Sequence, residues 1–203
     1  MGKPAEPFAL DASTRHLCID MQRLFAADTP WQVPWLSKVL PAIEEIAGRH
    51  ATRTIFTRFM PAPSPDEAEG AWRDYYAAWP HLTRRKLDPE LLELVPALAR
   101  LVPPGRVVDK TVNSAFGRTG LAPALKRDGV TTLIITGGET DVCVLATVMA
   151  AIDHGFRIVL PTDALCSAED STHDALLQLY RQRFSHQVEA TTTVDVLDRW
   201  RWR

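Results

Sequence analysis

No stretch of this 203-residue sequence is apolar for long enough to span a bilayer, and runs such as TTLIITGG (131–138) and FRIVLP (156–161) are strand-sized. The opening MGKPAEPFALDAST lacks the apolar core of a secretory signal. There is no excess of either charge: 23 Lys and Arg stand against 25 Asp and Glu, a formal net charge of −2. That balance removes the electrostatic reason to expect nucleic acid or an anionic membrane as partner. Cysteine is scarce, with Cys18, Cys143 and Cys166 in no C-x-x-C spacing. Neither a disulfide framework nor a thiolate metal site is expected, and a reducing, cytoplasmic setting is. Glycine is missing from DMQRLFAADTP (20–30), directly after the first apolar run. A phosphate-cradling loop, and with it a flavodoxin-like redox role, is disfavoured.

What the sequence does have is regular alternation. Apolar or β-branched runs at 15–20, 52–59, 106–110, 131–136, 157–161 and 187–192 predict strands. Between them, helical spacing predicts helices over 35–50, 66–79, 88–102, 121–129, 141–154 and 168–184, with a last helix near the C-terminus. Strands apolar throughout, alternating with helices, imply a parallel sheet covered on both faces. The expected division is a flexible polar tail over 1–13 and one α/β domain over 14–203.

In such a sheet, ligands bind beyond the carboxyl ends of the strands. Three polar residues fall there: Asp20 closes RHLCID, Lys110 closes RVVDK, and Cys143 follows TLIIT through Gly137 and Gly138. Singly, each has a plain alternative, since a free cysteine is often just a small core residue and Asp20 or Lys110 could be rim charges. Together, an acid, a base and a thiol at one rim suggest a nucleophilic site. Cys143 in the first turn of a helix, beside an ammonium, leads one to expect a thiolate at neutral pH.

The segments CIDMQRLF (18–25), VVDKTVNSAF (107–116) and GGETDVCVLAT (137–147) resemble the three signature segments of the isochorismatase-like cysteine hydrolases. That superfamily includes nicotinamidases, N-carbamoylsarcosine amidohydrolase and isochorismatases. The resemblance runs from about residue 14 to 192, in the family's order. It implies a three-layer α/β/α, Rossmann-like fold on a six-stranded parallel sheet. It implies a triad of Asp20, Lys110 and Cys143, an oxyanion hole made by the backbone N–H groups of Glu139 and Cys143, and a cis peptide between Gly138 and Glu139.

Nicotinamidases of this superfamily usually carry an Asp-x-His metal motif after the second strand, where this chain has TRFMP (57–61). The expectation is therefore no metal and no cofactor. Isochorismatases often lack the cysteine, because cleaving a vinyl ether needs a proton donor rather than a thiol. Retention of Cys143 favours an acyl carbon, hence a small amide or ureido substrate. Arg23 and Asn113 depart from residues common among relatives and lie near the expected site. Trp72, Tyr75, Tyr76 and Trp79 form a stripe at helical spacing, either packing or a lid over the substrate. The expected substrate-binding residues are Gln22, Arg58 (toward a carboxylate), Trp72, Tyr75, Trp79 and Phe116. Assembly as a homo-oligomer, a dimer or tetramer, is also expected. The rivals to amide hydrolysis are a catalytically silent metabolite-binding protein of the same fold and an isochorismatase-type ether hydrolase.

Overall fold

Seven short segments rich in Ile, Val, Leu and Thr pair side by side in parallel, in a computed structural model that describes residues 6–201. The strands are β1 (Thr14–Ile19), β2 (Thr54–Phe59), β3 (Arg106–Lys110), β4 (Thr132–Gly138), β5 (Arg157–Pro161), β6 (Leu165–Cys166) and β7 (Val188–Thr191). Their order is β3-β2-β1-β4-β5-β7, with β6 pairing onto the end of β4. The sheet therefore has one strand more than the six expected, because Leu165 and Cys166 pair with Gly137 and Gly138. A two-residue strand carries no periodicity by which to recognise it.

The helices are α1 (Arg23–Ala26), α2 (Leu36–Arg49), α3 (Ala71–Ala78), α4 (Pro96–Ala99), α5 (Leu121–Arg127), α6 (Leu145–Asp153), α7 (Asp170–Arg183) and α8 (Thr193–Arg199). Strand side chains alternate between the two faces. Leu17, Ile19, Leu133 and Ile135 pack with Leu125 of α5, Val148 of α6 and Tyr180 of α7. On the other face Cys18 and Phe56 pack with Val39 and Ile43 of α2, while Ile134 and Val159 meet Val196 and Leu197 of α8. Among the described residues no helix is long and apolar enough to cross a membrane.

Two sequence expectations change. The 88–102 helix is broken into a 3₁₀ turn at Pro89–Leu92 and the four-residue α4. Pro96 lacks an N–H and disfavours helical geometry at Val95, which is extended. The backbone of 92–95 bonds elsewhere instead: Val95 N–H donates to Met21 O at 2.9 Å, and Arg23 N–H to Glu93 O at 2.9 Å. The tail expected to be flexible over 1–13 makes packing contacts in its described part. Residues 1–5 of it lie outside the described residues, but Leu10 is buried against Trp200, and Phe8 N–H donates to Glu189 at 2.8 Å.

At the centre of the sheet His16 is fully buried, with Nδ1 3.2 Å from Thr54 Oγ1 and Nε2 2.8 Å from Thr136 Oγ1. Burial pushes this imidazole down to about 3. The unfolded chain binds a proton near the ordinary value of about 6.5, which the folded chain refuses. The contribution of His16 to stability is thus complete above that value and is lost as pH falls toward 3, by up to about 1.4 kcal/mol per pH unit. Urea midpoints compared between about pH 7 and about pH 5 should fall more steeply for wild type than for His16→Leu. Parallel falls would mean that His16 takes no part.

Candidate active site

The strand order reverses between β1 and β4, since β2 and β3 lie on one side of β1 and β5 and β7 lie beyond β4. The loops leaving the two central strands therefore diverge and open a crevice at their carboxyl ends. At that edge the strands approach closely. Gly137 has φ 101°, and a Cβ there would lie 2.1 Å from the carbonyl oxygen of Ile19, so only glycine fits. The peptide joining Gly138 to Glu139 is cis.

Asp20 follows β1 with φ 50°, a left-handed conformation that aspartate tolerates better than most residues. Its carboxylate is held by Thr57 of β2. Thr57 Oγ1 accepts from the Asp20 amide at 3.1 Å and donates to Asp20 Oδ1 at 2.6 Å. The other oxygen, Oδ2, lies 2.6 Å from Nζ of Lys110, the last residue of β3. The same ammonium donates to Val112 O at 3.1 Å and contacts Cys143 Sγ at 3.4 Å. Asp20 and Lys110 are only 2% and 1% exposed. The structure thus brings Asp20, Lys110 and Cys143 together.

Cys143 lies in a π-helical turn, Thr140–Val144, that leads into α6. This turn is fastened from below. Thr140 Oγ1 donates to Cys166 O at 3.1 Å and pairs with His173 Nδ1 at 2.9 Å, while Asp141 accepts from Ser167 Oγ at 2.5 Å and from Thr172. The N–H of Glu139 makes no hydrogen bond among the described residues.

The electrostatics run against one expectation. Burial first, and then the negative charge of Asp20, hold the Cys143 thiol above its ordinary value, and Lys110 only partly opposes them. Burial alone would lower Lys110, but Asp20 and then Cys143 outweigh it, so its ammonium is held above the ordinary value. Glu139 is raised by burial first and then by Asp141, against the backbone N–H of Ala168.

A pocket of about 50 Å³ opens over the thiol, lined by Phe25, Trp31, Phe59, Tyr75, Asn113, Glu139, Val142 and Cys143. Of the expected substrate-binding residues only Tyr75 stands on this wall. Gln22 is fully buried and already employed: its Nε2 donates to Phe59 O (3.1 Å) and Leu92 O (2.8 Å), and its Oε1 accepts from Phe59 N–H (2.6 Å). Arg58 points to the opposite sheet face from Phe59, where Asp109 (2.8 Å) and Glu93 (2.7 Å) hold it. Trp72 lines a separate cavity of about 190 Å³ with Pro61, Ala62 and Tyr76, and reaches the pocket only through Tyr75 and Phe59. Trp79 is 39% exposed at the end of α3, outside the lining. Phe116 packs on His154 and Phe156 beside α6. Arg23 pairs with Glu90 at 2.9 Å, whereas Asn113 does line the pocket.

Phe25, Trp31 and Val142 are lining residues that sequence reasoning missed. The first two had a signal, since both lie in the loop region directly after Asp20, where βα connections build sites. At the end of β2, where the relatives' metal motif would fall, Phe59 and Met60 are buried and apolar. No group of three or more His, Cys, Asp and Glu suited to a metal occurs among the described residues, so the donor set does not fit such an ion.

Comparison with known proteins agrees with the fold. A family model described as an isochorismatase domain matches residues 14–192. Nicotinamidase 3 of Arabidopsis thaliana is 29% identical over 174 residues, covering 85% of this chain and 83% of its own. Maleamate amidohydrolase of Pseudomonas putida is 35% identical over 71 residues, covering 35% of this chain and 33% of its own. The crystal structure of a cysteine hydrolase from Pseudomonas syringae pv. phaseolicola superposes with a TM-score of 0.81 at 26% identity, covering 98% of each chain. With a matching domain over nearly the whole chain and the same parallel α/β architecture, this protein belongs to the isochorismatase family.

Proposed function

We propose that this chain is a metal-independent cysteine amidohydrolase that cleaves a C–N bond in a small amide or ureido compound. One observation carries the reading: a buried ammonium stands 2.6 Å from a carboxylate and 3.4 Å from a thiol at the floor of a pocket. A buried ion pair is costly to maintain, and apolar residues of similar volume would pack at least as well. A third, reactive group on the same ammonium gives the pair a chemical use.

In the first half-reaction Sγ of Cys143 attacks the carbonyl carbon as Asp20 takes its proton. This order suits a thiol that burial raises, because charge forms on sulfur only when the carbonyl is in place. The oxygen of the tetrahedral intermediate receives the N–H groups of Glu139 and Cys143. Asp20 returns the proton to the departing nitrogen, leaving a thioester on Cys143 and free amine. In the second half-reaction Asp20 takes a proton from water as the water attacks the thioester. Collapse releases the acid, and the proton passes back to sulfur. Lys110 stays an ammonium throughout, held by Val112 O, and offsets charge on either partner.

The relatives named above as nicotinamidase and amidohydrolase support an amide rather than an ether as substrate. Ammonia release measured over primary amides, carbamoyl compounds, biuret-like ureides and nicotinamide should reveal at least one substrate, with activity unchanged by prolonged chelation. A complete lack of ammonia across the panel would favour a silent binding protein. Loss of activity on chelation would reinstate a metal.

A further inference from the structure

Glu139 has a side chain that the proposed mechanism does not use, since only its backbone N–H enters the chemistry. Yet the residue lines the pocket beside Cys143, half-buried and without an ion-pair partner among the described residues. Its carboxyl group belongs to the pocket's own electrostatics. The Tyr75 phenol is pushed up to about 12 by burial first, then by Tyr76, Glu139 and Cys143. Burial first and then Asp141 raise Glu139, the N–H of Ala168 opposes them, and a bound cation would favour its charged form.

Around this carboxylate the wall is aromatic. Trp31 stacks on Tyr75 with centroids 5.8 Å apart and on Phe25 at 6.5 Å, and meets the edge of Phe59 at 6.0 Å. Aromatic faces attract cations, and do so more strongly when water is excluded. No arginine or histidine lines the pocket. The nearby cations are already matched, Lys110 by Asp20 and Arg58 by Asp109 and Glu93. Asp141, next in sequence to the wall, has no ion-pair partner among the described residues and is satisfied by hydroxyl groups. With Lys110 matched by Asp20, Glu139 is the acidic residue on a wall whose rings favour a cation. A substrate carboxylate, the group once expected to meet Arg58, would meet repulsion here.

We propose that Glu139 and the rings of Trp31 and Tyr75 select substrates bearing a positive charge next to the scissile amide. This rests on the amidohydrolase reading for its turnover test, but binding tests it separately. Glycinamide, propionamide and malonamate place an ammonium, a methyl and a carboxylate at the same position. Ammonia release should follow that order in kcat/KM, with at least about a tenfold advantage of glycinamide over propionamide. Glu139→Gln should bring that ratio to about one, and Glu139→Asp, which keeps the charge, should retain most of it. Calorimetric titration of Cys143→Ala protein should show glycinamide binding more tightly than propionamide. If no amide is turned over but this binding preference holds, the hydrolase reading fails and the charge selection stands. Preference for propionamide or malonamate, a ratio unchanged by Glu139→Gln, or no binding of glycinamide would overturn the proposal.

Discussion

Cys143→Ala is expected to lower ammonia release by roughly 10⁴–10⁶-fold while leaving the fold unchanged. The loss is large because no neighbour can replace the sulfur. Asp20 and Lys110 are locked to each other at 2.6 Å, and neither Cys18 nor Cys166 is among the residues that line the pocket. The structural cost is small because alanine suits a helical turn and removes only one buried heavy atom, about 1 kcal/mol or less. Intact-mass spectrometry of wild type quenched during turnover should catch the acyl group on Cys143, and the variant should carry none. Turnover retained near the wild-type rate would end the nucleophile assignment.

Asp20→Asn should cost roughly 10²–10⁴-fold in rate, the range for a positioned general acid–base. Asparagine also tolerates the left-handed φ of 50°, so the backbone does not confound the comparison. The confounding effect is electrostatic: Lys110 loses its counter-ion inside the protein, which costs about 3–5 kcal/mol where the charge persists. Two measurements separate the roles. The double variant Asp20→Asn, Lys110→Met should recover stability in urea unfolding, since the orphaned charge is gone, yet remain as inactive as the single variant. If the double variant regains activity with stability, Asp20 acts only as a structural partner of Lys110.

The grouping of Asp20, Lys110 and Cys143 was legible in the sequence because the sheet's topology delivers strand ends to one rim. A residue that closes an apolar run is thereby placed, whatever surrounds it. The pocket wall was not legible in the same way. Gln22 and Phe116 follow Asp20 and Lys110 in sequence, but a side chain three or six positions from a strand end can turn to either side of the rim. Gln22 went to the carbonyls of Phe59 and Leu92, and Phe116 to Phe156. Trp31 reached the wall through a loop without periodicity. Arg58 looked like a ligand for a carboxylate because its partner, Asp109, sits across a strand pairing invisible to local reading. The burial of the thiol was hidden for a similar reason. The helix start and the ammonium were apparent in sequence, while the depth of burial that opposes them was not.

The three hydrogen bonds of Gln22 bear on how such an enzyme can change. One amide fastens Phe59, at the end of β2, and Leu92 to the chain just beyond Asp20. Everything between those anchors, including α3 with Tyr75, is an excursion closed at its base by Gln22 together with the backbone bonds from Arg23 to Glu93 and from Val95 to Met21. Lengthening a closed loop costs little, because closure entropy grows only slowly with length. The triad stands on strand ends outside that loop. The exposed parts of this segment can therefore vary in length without rebuilding the chemistry, so long as the contacts at its base and its buried residues such as Tyr76 and Leu82 are kept.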